Sequence, residues 1–189
     1  LTKEKDIEVV PFYVSFDSET YQKEMVEVGV REFYQEMVDH PTVFPKTSMP
    51  SVHDYYEVFE KHAKEKMPVI CICITRKFSG SLQSATTAKD MILEEYPDAQ
   101  ITVIDSTVNT VLQGLYVLEA CRLRDMGLEY QQIVDALLPI RETGRIFFTI
   151  GSIDYLKHGG RIGKLAGIAA SALKIKPVMG STDEGAICQ

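Results

Sequence analysis

The sequence predicts an α/β fold, a mostly parallel sheet flanked by helices. Two short apolar runs, 69–74 and 101–104, are too brief for helices and read as strands covered on both faces. Between and around them lie longer segments in which apolar residues recur at helical spacing. Strands alternating with helices of about 10–18 residues are the pattern of βαβ units and a parallel sheet. No internal repeat or low-complexity stretch interrupts that pattern.

The elements follow in order. Residues 7–16 (IEVVPFYVSF) are β-branched and aromatic, and Pro11 among them marks an edge strand or a bulge. Phe33, Tyr34, Met37 and Val38 fall on one face of a helix around 30–39, and Val52, Tyr55, Tyr56, Phe59 and Ala63 on one face over 52–66. Pro68 and then Thr75-Arg76-Lys77 bound the strand at 69–74. Leu82, Ala85, Ala88 and Ile92 mark the next helix, which ends near Tyr96-Pro97. After strand 101–104, helices are expected at about 109–126, stopped by Gly127, and 129–142, followed by a strand at 145–150.

Beyond Ile150 the character changes. Gly151, Gly159, Gly160, Gly163 and Gly167 crowd together, and Lys157, Arg161, Lys164, Lys174 and Lys176 form a basic stretch with no acidic residue from 157 to 176. Residues 1–150 are therefore read as an N-terminal α/β domain, and 151–189 as the beginning of a second α/β domain. Residues 185–189 carry no signal for a terminal helix or strand, and both ends look cut.

Composition narrows the function classes. The 189 residues are 45% hydrophobic and 25% charged, ordinary for a globular chain with a sizeable core. A net charge of −7 disfavours a nucleic-acid partner held by a global basic field. No uncharged stretch approaches the length of about 20 residues that a bilayer span needs, so no integral membrane segment is expected. The charged start, Leu1-Thr-Lys-Glu-Lys-Asp6, is unlike a secretory signal. Cys71, Cys73, Cys121 and Cys188 lack the dense spacing of a disulfide scaffold, which points to a reducing, cytoplasmic setting. Cys71 and Cys73 share a strand face, where a redox or metal pair is open but buried small hydrophobes are the commoner use.

Three segments are placed to carry chemistry, since ligands of open α/β sheets sit beyond the carboxyl ends of strands. In Pro45-Lys46-Thr47-Ser48-Met49-Pro50-Ser51, Ser51 and Asp54 approximate a capping box, which leaves Thr47 and Ser48 to face a ligand or to close a Pro-framed turn. In Phe78-Ser79-Gly80-Ser81, Gly80 permits close backbone approach, and one serine is expected to be the N-cap of the next helix. Asp105-Ser106-Thr107 offers a cap, an acid or a partner for a neighbouring loop. Arg161, after Gly159-Gly160, can grip a carboxylate or phosphate bidentately, or stand on a solvated face.

Catalytic signatures are missing. There is no Walker phosphate loop, no dinucleotide-binding turn and no nucleophile elbow. His40, His53, His62 and His158 show no metal-ligand spacing, so no metal ligand is assigned, and no serine has an identifiable base, so no catalytic residue is either. Hydroxyls without catalytic partners suit the binding of a small anion better than turnover.

Six segments together resemble the DegV family of bacterial fatty-acid-binding proteins. They are Ile7-Glu-Val-Val-Pro11, Pro45-Lys-Thr-Ser-Met-Pro50, Phe78-Ser-Gly-Ser-Leu-Gln-Ser-Ala85, Val103-Ile-Asp-Ser106, Tyr155-Leu-Lys-His-Gly-Gly-Arg-Ile-Gly163 and Ile175-Lys-Pro177, in the family's order over essentially the whole chain. The resemblance implies a DegV-like two-domain fold holding one long-chain fatty acid, with no cofactor. It implies that the carboxylate is held by Thr47 and Ser79, with Ser48 and Gly80 adjacent, and that Arg161 lies near the ligand head or at a partner surface; Ser106 and Lys164 are further candidates for ligand or partner contact. It further implies a non-catalytic carrier that presents the acid to a separate ATP-dependent kinase subunit for acyl-phosphate formation. Members usually begin with a further strand and Asp-Ser loop and continue into a further α/β portion, and both are expected to be missing here. Phe78 places bulk near the head group that family members tend to lack. Two other readings stay open: a stand-alone small phosphotransferase or hydrolase using Ser79 or Asp105, and a regulatory module that docks through 157–176.

Overall fold

The computed structural model describes residues 1–152, 154–161, 178–182 and 184–188. Its centre is a parallel pair of strands, β4 (Val69–Cys73) and β5 (Ile101–Asp105), in register from Val69 opposite Ile101 to Cys73 opposite Asp105. Alternation along these strands sorts their side chains to two cores. Val69, Cys71, Cys73, Ile101 and Val103 face α2 (Val52–Lys64) and α3 (Ser81–Glu95), where Tyr55, Phe59, Ala63, Ala85, Ala88 and Ile92 are buried. Ile70, Ile72 and Ile104 face α4 (Thr110–Asp125) and α5 (Tyr130–Ile140), against Tyr116, Leu123, Ile133 and Leu137. Both faces are covered, as the continuous apolar runs require.

The helices fall where local periodicity places them. α1 (Val30–Asp39) matches its expected span. α2 starts at a true capping box, in which the Asp54 N–H donates to Ser51 Oγ at 3.1 Å and the Ser51 N–H donates to Asp54 Oδ2 at 2.8 Å. α4 ends at Asp125 with Met126 as its C-cap, followed by Gly127 at φ +82°, the left-handed stop that glycine tolerates.

Outside the β4–β5 pair, the described strands run antiparallel, so the parallel part of the sheet is smaller than expected. β1 (Tyr13–Ser15) lies between β2 (Gln22–Lys23) and β3 (Lys46–Ser48). It is a central strand rather than an edge. Pro11 stands two residues ahead of it, so no ladder position lacks a donor. The Lys46-Thr47-Ser48 segment, expected as a loop, is itself a strand paired with β1.

A third sheet joins β6 (Phe147–Phe148), β7 (Met179–Ser181) and β8 (Ile187–Cys188), all antiparallel. It links residues on both sides of position 150, and β8 supplies the terminal strand for which the sequence carried no signal. The short helix α6 (Asp154–His158) precedes Gly159. Met179 and Ile187 are buried there with Phe78, Phe148, Ile150 and Leu156 packed around them. Among the described residues no helix is long and apolar enough to cross a membrane.

Candidate functional site: hydroxyls on β3 and at the start of α3

Thr47 is an exposed residue of β3 directly opposite Val14 of β1. Cross-strand partners project to the same face, so its hydroxyl lies on the side where Val14 is buried. Ser48 is exposed too, and its hydroxyl donates to the Met49 carbonyl at 3.5 Å. The neighbouring strands β1 and β2 are tied to the start of α2 by Asp54. That carboxylate accepts from the Tyr13 hydroxyl at 2.8 Å, lies 3.1 Å from the Lys23 ammonium, and accepts from both the amide and the hydroxyl of Ser51. Burial opposes the charge of Asp54, but the bonds from Ser51, Tyr13 and Lys23 outweigh it and hold the carboxyl down at about 2.

Ser79 and Gly80 occupy the other loop. Gly80, not a serine, is the N-cap of α3, and it makes no side-chain cap bond. The cap-like role passes to Ser79 one residue earlier: the Ser81 N–H donates to Ser79 Oγ at 3.1 Å. Ser81 is buried at the first position of the helix. A hydroxyl that accepts one amide still has its own proton to donate. Ser79 therefore presents an O–H donor beside the positive end of a 15-residue helix, an arrangement matched to a carboxylate.

Met49, directly after β3, reaches the start of α3. Its sulfur lies 2.6 Å from the point a Cβ on Gly80 would occupy, and the Ser84 hydroxyl of α3 is directed at it at 4.0 Å. Glycine at 80 is thus what lets the thioether settle on the helix start. Gly80→Ala is expected to displace Met49 and to cost about 1 kcal/mol, because the obstacle is the flexible end of a side chain; a urea midpoint equal to that of the unmodified protein would refute the contact.

Arg161 reaches the same loop from the far side of the sequence. Its Nε donates to the Phe78 carbonyl at 3.2 Å, and an Nη donates to the Gly159 carbonyl. Phe44, just ahead of Pro45, stacks on His158 with ring centroids 3.7 Å apart and meets Tyr155 edge-on. The Tyr155–Arg161 segment is therefore packed against Phe78, which precedes Ser79, and against Phe44, which precedes Pro45. Phe78 turns away into the cluster around Met179 and Ile187, so an apolar cluster begins one residue from Ser79.

Ser106 is fully buried, and its hydroxyl both donates to the Val108 carbonyl at 3.1 Å and accepts the Val108 N–H at 3.4 Å. Its proton and one of its lone pairs are engaged inside its own turn. Asp105 acts as a loop partner, accepting the Thr107 N–H at 2.9 Å and facing Arg76 at 3.6 Å. Lys164 and most of the basic 157–176 stretch lie outside the described residues. Cys71 and Cys73 do share a face, with sulfurs 3.8 Å apart, both packed in the core with Tyr55. Among the described residues no group of three or more His, Cys, Asp or Glu side chains could hold a metal.

Met49, the Tyr13–Lys23–Asp54 brace and the Phe44–His158 stack were not anticipated as parts of the site. Only Asp54 had a local signal, its place in the capping box; the others depend on contacts distant in sequence.

Fold and loops together define the class: a mixed α/β protein with the Ser79 hydroxyl at a helix N-terminus, Met49 reaching that helix start from the end of β3, and an apolar cluster beside it. The chain belongs to the DegV family, described as uncharacterised proteins, whose family model matches residues 1–189. It is 32% identical over 187 residues to a DegV domain-containing protein of Clostridium perfringens, covering 99% of this chain and 65% of that protein. Among solved structures it is similar to a stearic acid-binding protein of Eubacterium ventriosum, with 48% identity and a TM-score of 0.92 over 98% of this chain and 63% of that one. It is also similar to the Streptococcus pneumoniae fatty acid kinase B3 protein loaded with linoleic acid, with 28% identity and a TM-score of 0.79 over 94% and 61% of the two chains. The chain spans just under two thirds of the length of these relatives.

Proposed function

We propose that this protein binds a long-chain fatty acid, with the carboxylate between Thr47 and Ser79 and the tail running into apolar surroundings, and that it presents the acid to a separate ATP-dependent kinase subunit. The observation that carries the reading is the meeting, through Met49, of the Thr47 strand with the Ser79–Gly80 helix start. Support for the ligand class comes from the relatives, which include proteins described as binding stearic and linoleic acids. Support for a kinase partner comes from the fatty acid kinase B3 relative.

The energetics suit that ligand. Burying the tail contributes about 0.8 kcal/mol per CH₂, so a chain of about 16 carbons supplies on the order of 10 kcal/mol before the cost of ordering it. The carboxylate resists burial unless it is hydrogen-bonded. Two hydroxyl donors and a helix N-terminus answer that need, at about 1.5–3 kcal/mol for each bond to the charge. Tail burial then sets affinity, and the hydroxyls fix which end is presented. Ser48 and Gly80 lie beside the head group in this reading, and Arg161 holds the Ser79 loop from behind by its bond to the Phe78 carbonyl.

Residues 1–150 and 151–189 are read as parts of two α/β domains, with the ligand between or within them. Location in the cytoplasm and the absence of a cofactor belong to the same proposal. Protein purified from a bacterial host is expected to release about one equivalent of long-chain fatty acid on denaturing organic extraction, identified by mass spectrometry. Preparations free of fatty acid that also take up none when it is supplied would overturn the reading.

A further inference from the structure

Met49 is 44% exposed, yet its sulfur is pressed against the α3 backbone at Gly80 and faced by the Ser84 hydroxyl. The thioether can rest there because it is apolar, polarizable and able to fit a glycine-shaped recess. One side of the sulfur is packed and the residue is open to solvent. A small hydroperoxide has a way in, and a new oxygen on sulfur has little room inward.

We propose that Met49 is an oxidation site for hydrogen peroxide and related hydroperoxides, and that its sulfoxide lowers the affinity of the site for fatty acid. The proposal rests on the placement of the carboxylate between Thr47 and Ser79. In the step itself a sulfur lone pair attacks one peroxide oxygen, and the S–O bond forms as the O–O bond breaks. The proton on the transferred oxygen passes to the departing hydroxide, which leaves as water. Sulfur is oxidised by two electrons and the peroxide is reduced by two.

The consequence follows from polarity. A sulfoxide oxygen is a strong acceptor, whereas the thioether sulfur is a weak one. Placed at the start of α3, it competes with the carboxylate for the Ser79 hydroxyl and the first-turn amides. Turned outward instead, it lifts the side chain from Gly80 and parts the two loops. Either outcome weakens the grip on the head group, and methionine sulfoxide reductases make the change reversible. Met25, Met67, Met91 and Met126 are exposed as well, but Met49 alone among them contacts Gly80.

The experiment compares the protein with its Met49→Leu variant, each before and after dilute hydrogen peroxide, using a fluorescent long-chain fatty acid as probe. The peptide containing Met49 is expected to gain about 16 Da, one oxygen, and the affinity of the unmodified sequence to fall about tenfold, the loss of one bond to the charged head. Methionine sulfoxide reductase should restore it. For Met49→Leu, the ratio of affinities before and after peroxide is expected to stay near one. Oxidation of Met25 and Met126 with Met49 untouched, an oxidised Met49 with unchanged affinity, or an equal fall in the variant would each overturn the proposal. Hydrogen exchange over residues 79–84 separates this from the fatty-acid reading. If the untreated protein binds no probe, that reading fails, while faster exchange on oxidation in the parent alone still supports the Met49 contact and equal exchange in both overturns it.

Discussion

Replacing Thr47 and Ser79 together by alanine is expected to reduce fatty-acid affinity about a hundredfold, two bonds to a carboxylate being removed at once. On the proposed placement of the carboxylate, each single change should cost about tenfold, and the hundredfold loss of the pair is their sum in free energy. The two positions differ in what else they do. Thr47 is exposed on β3 and makes no other side-chain hydrogen bond among the described residues, so Thr47→Ala should leave the urea midpoint almost unchanged. Ser79 is buried and accepts the Ser81 N–H, so Ser79→Ala should lose about 1 kcal/mol from the start of α3 as well. A direct titration with stearate and a chemical melt of each variant resolve the two contributions. Undiminished affinity in the double variant, with the fold intact, would remove Thr47 and Ser79 from the head-group site.

Asp54→Ala is expected to be the most destabilising of these changes, at about 3 kcal/mol, because it leaves the partners of a buried carboxylate without it. The Ser51 amide, the Tyr13 hydroxyl and the Lys23 ammonium all lose an acceptor. Three elements meet there: β1 through Tyr13, β2 through Lys23 and α2 through its cap. The same brace implies a pH dependence. The Asp54 carboxyl is held at about 2 instead of its usual 3.8, so the folded state favours the ionised form. Its stabilisation is complete above about pH 4, where the unfolded carboxyl is ionised too, and is lost as pH falls from there through about 2. Urea midpoints between about pH 6 and 2 should therefore fall more steeply for the parent than for Asp54→Ala. Parallel curves would show that Asp54 contributes nothing to the acid limb.

Local signals account for much of what the structure shows. The stripe Tyr55, Phe59 and Ala63 encodes α2, and Ala85, Ala88 and Ile92 encode α3, because each face repeats within a few residues and needs no distant partner to be recognised. The Ser51–Asp54 capping box is legible for the same reason. Cys71 and Cys73 fall together because strand alternation is a local rule. The strands β2, β3, β7 and β8, of two or three residues, carry no such signal. Their existence depends on which segment lies opposite, as when Thr47 finds Val14 or Met179 finds Phe148.

For the site, the sequence by itself determined the parts: hydroxyls in two loops, a glycine at a helix start, an arginine after paired glycines, and no visible base. Only the tertiary structure decided how they assemble. It set Met49 on Gly80, passed the cap-like bond to Ser79 in place of the N-cap, consumed the Ser106 hydroxyl in its own turn, and brought Arg161 to the Phe78 carbonyl from 83 residues away. The physical reason is the range of the interactions. Helix periodicity and capping act over one or two turns of chain, whereas a hydrogen-bond donor becomes part of a binding site only when packing fixes what stands opposite it.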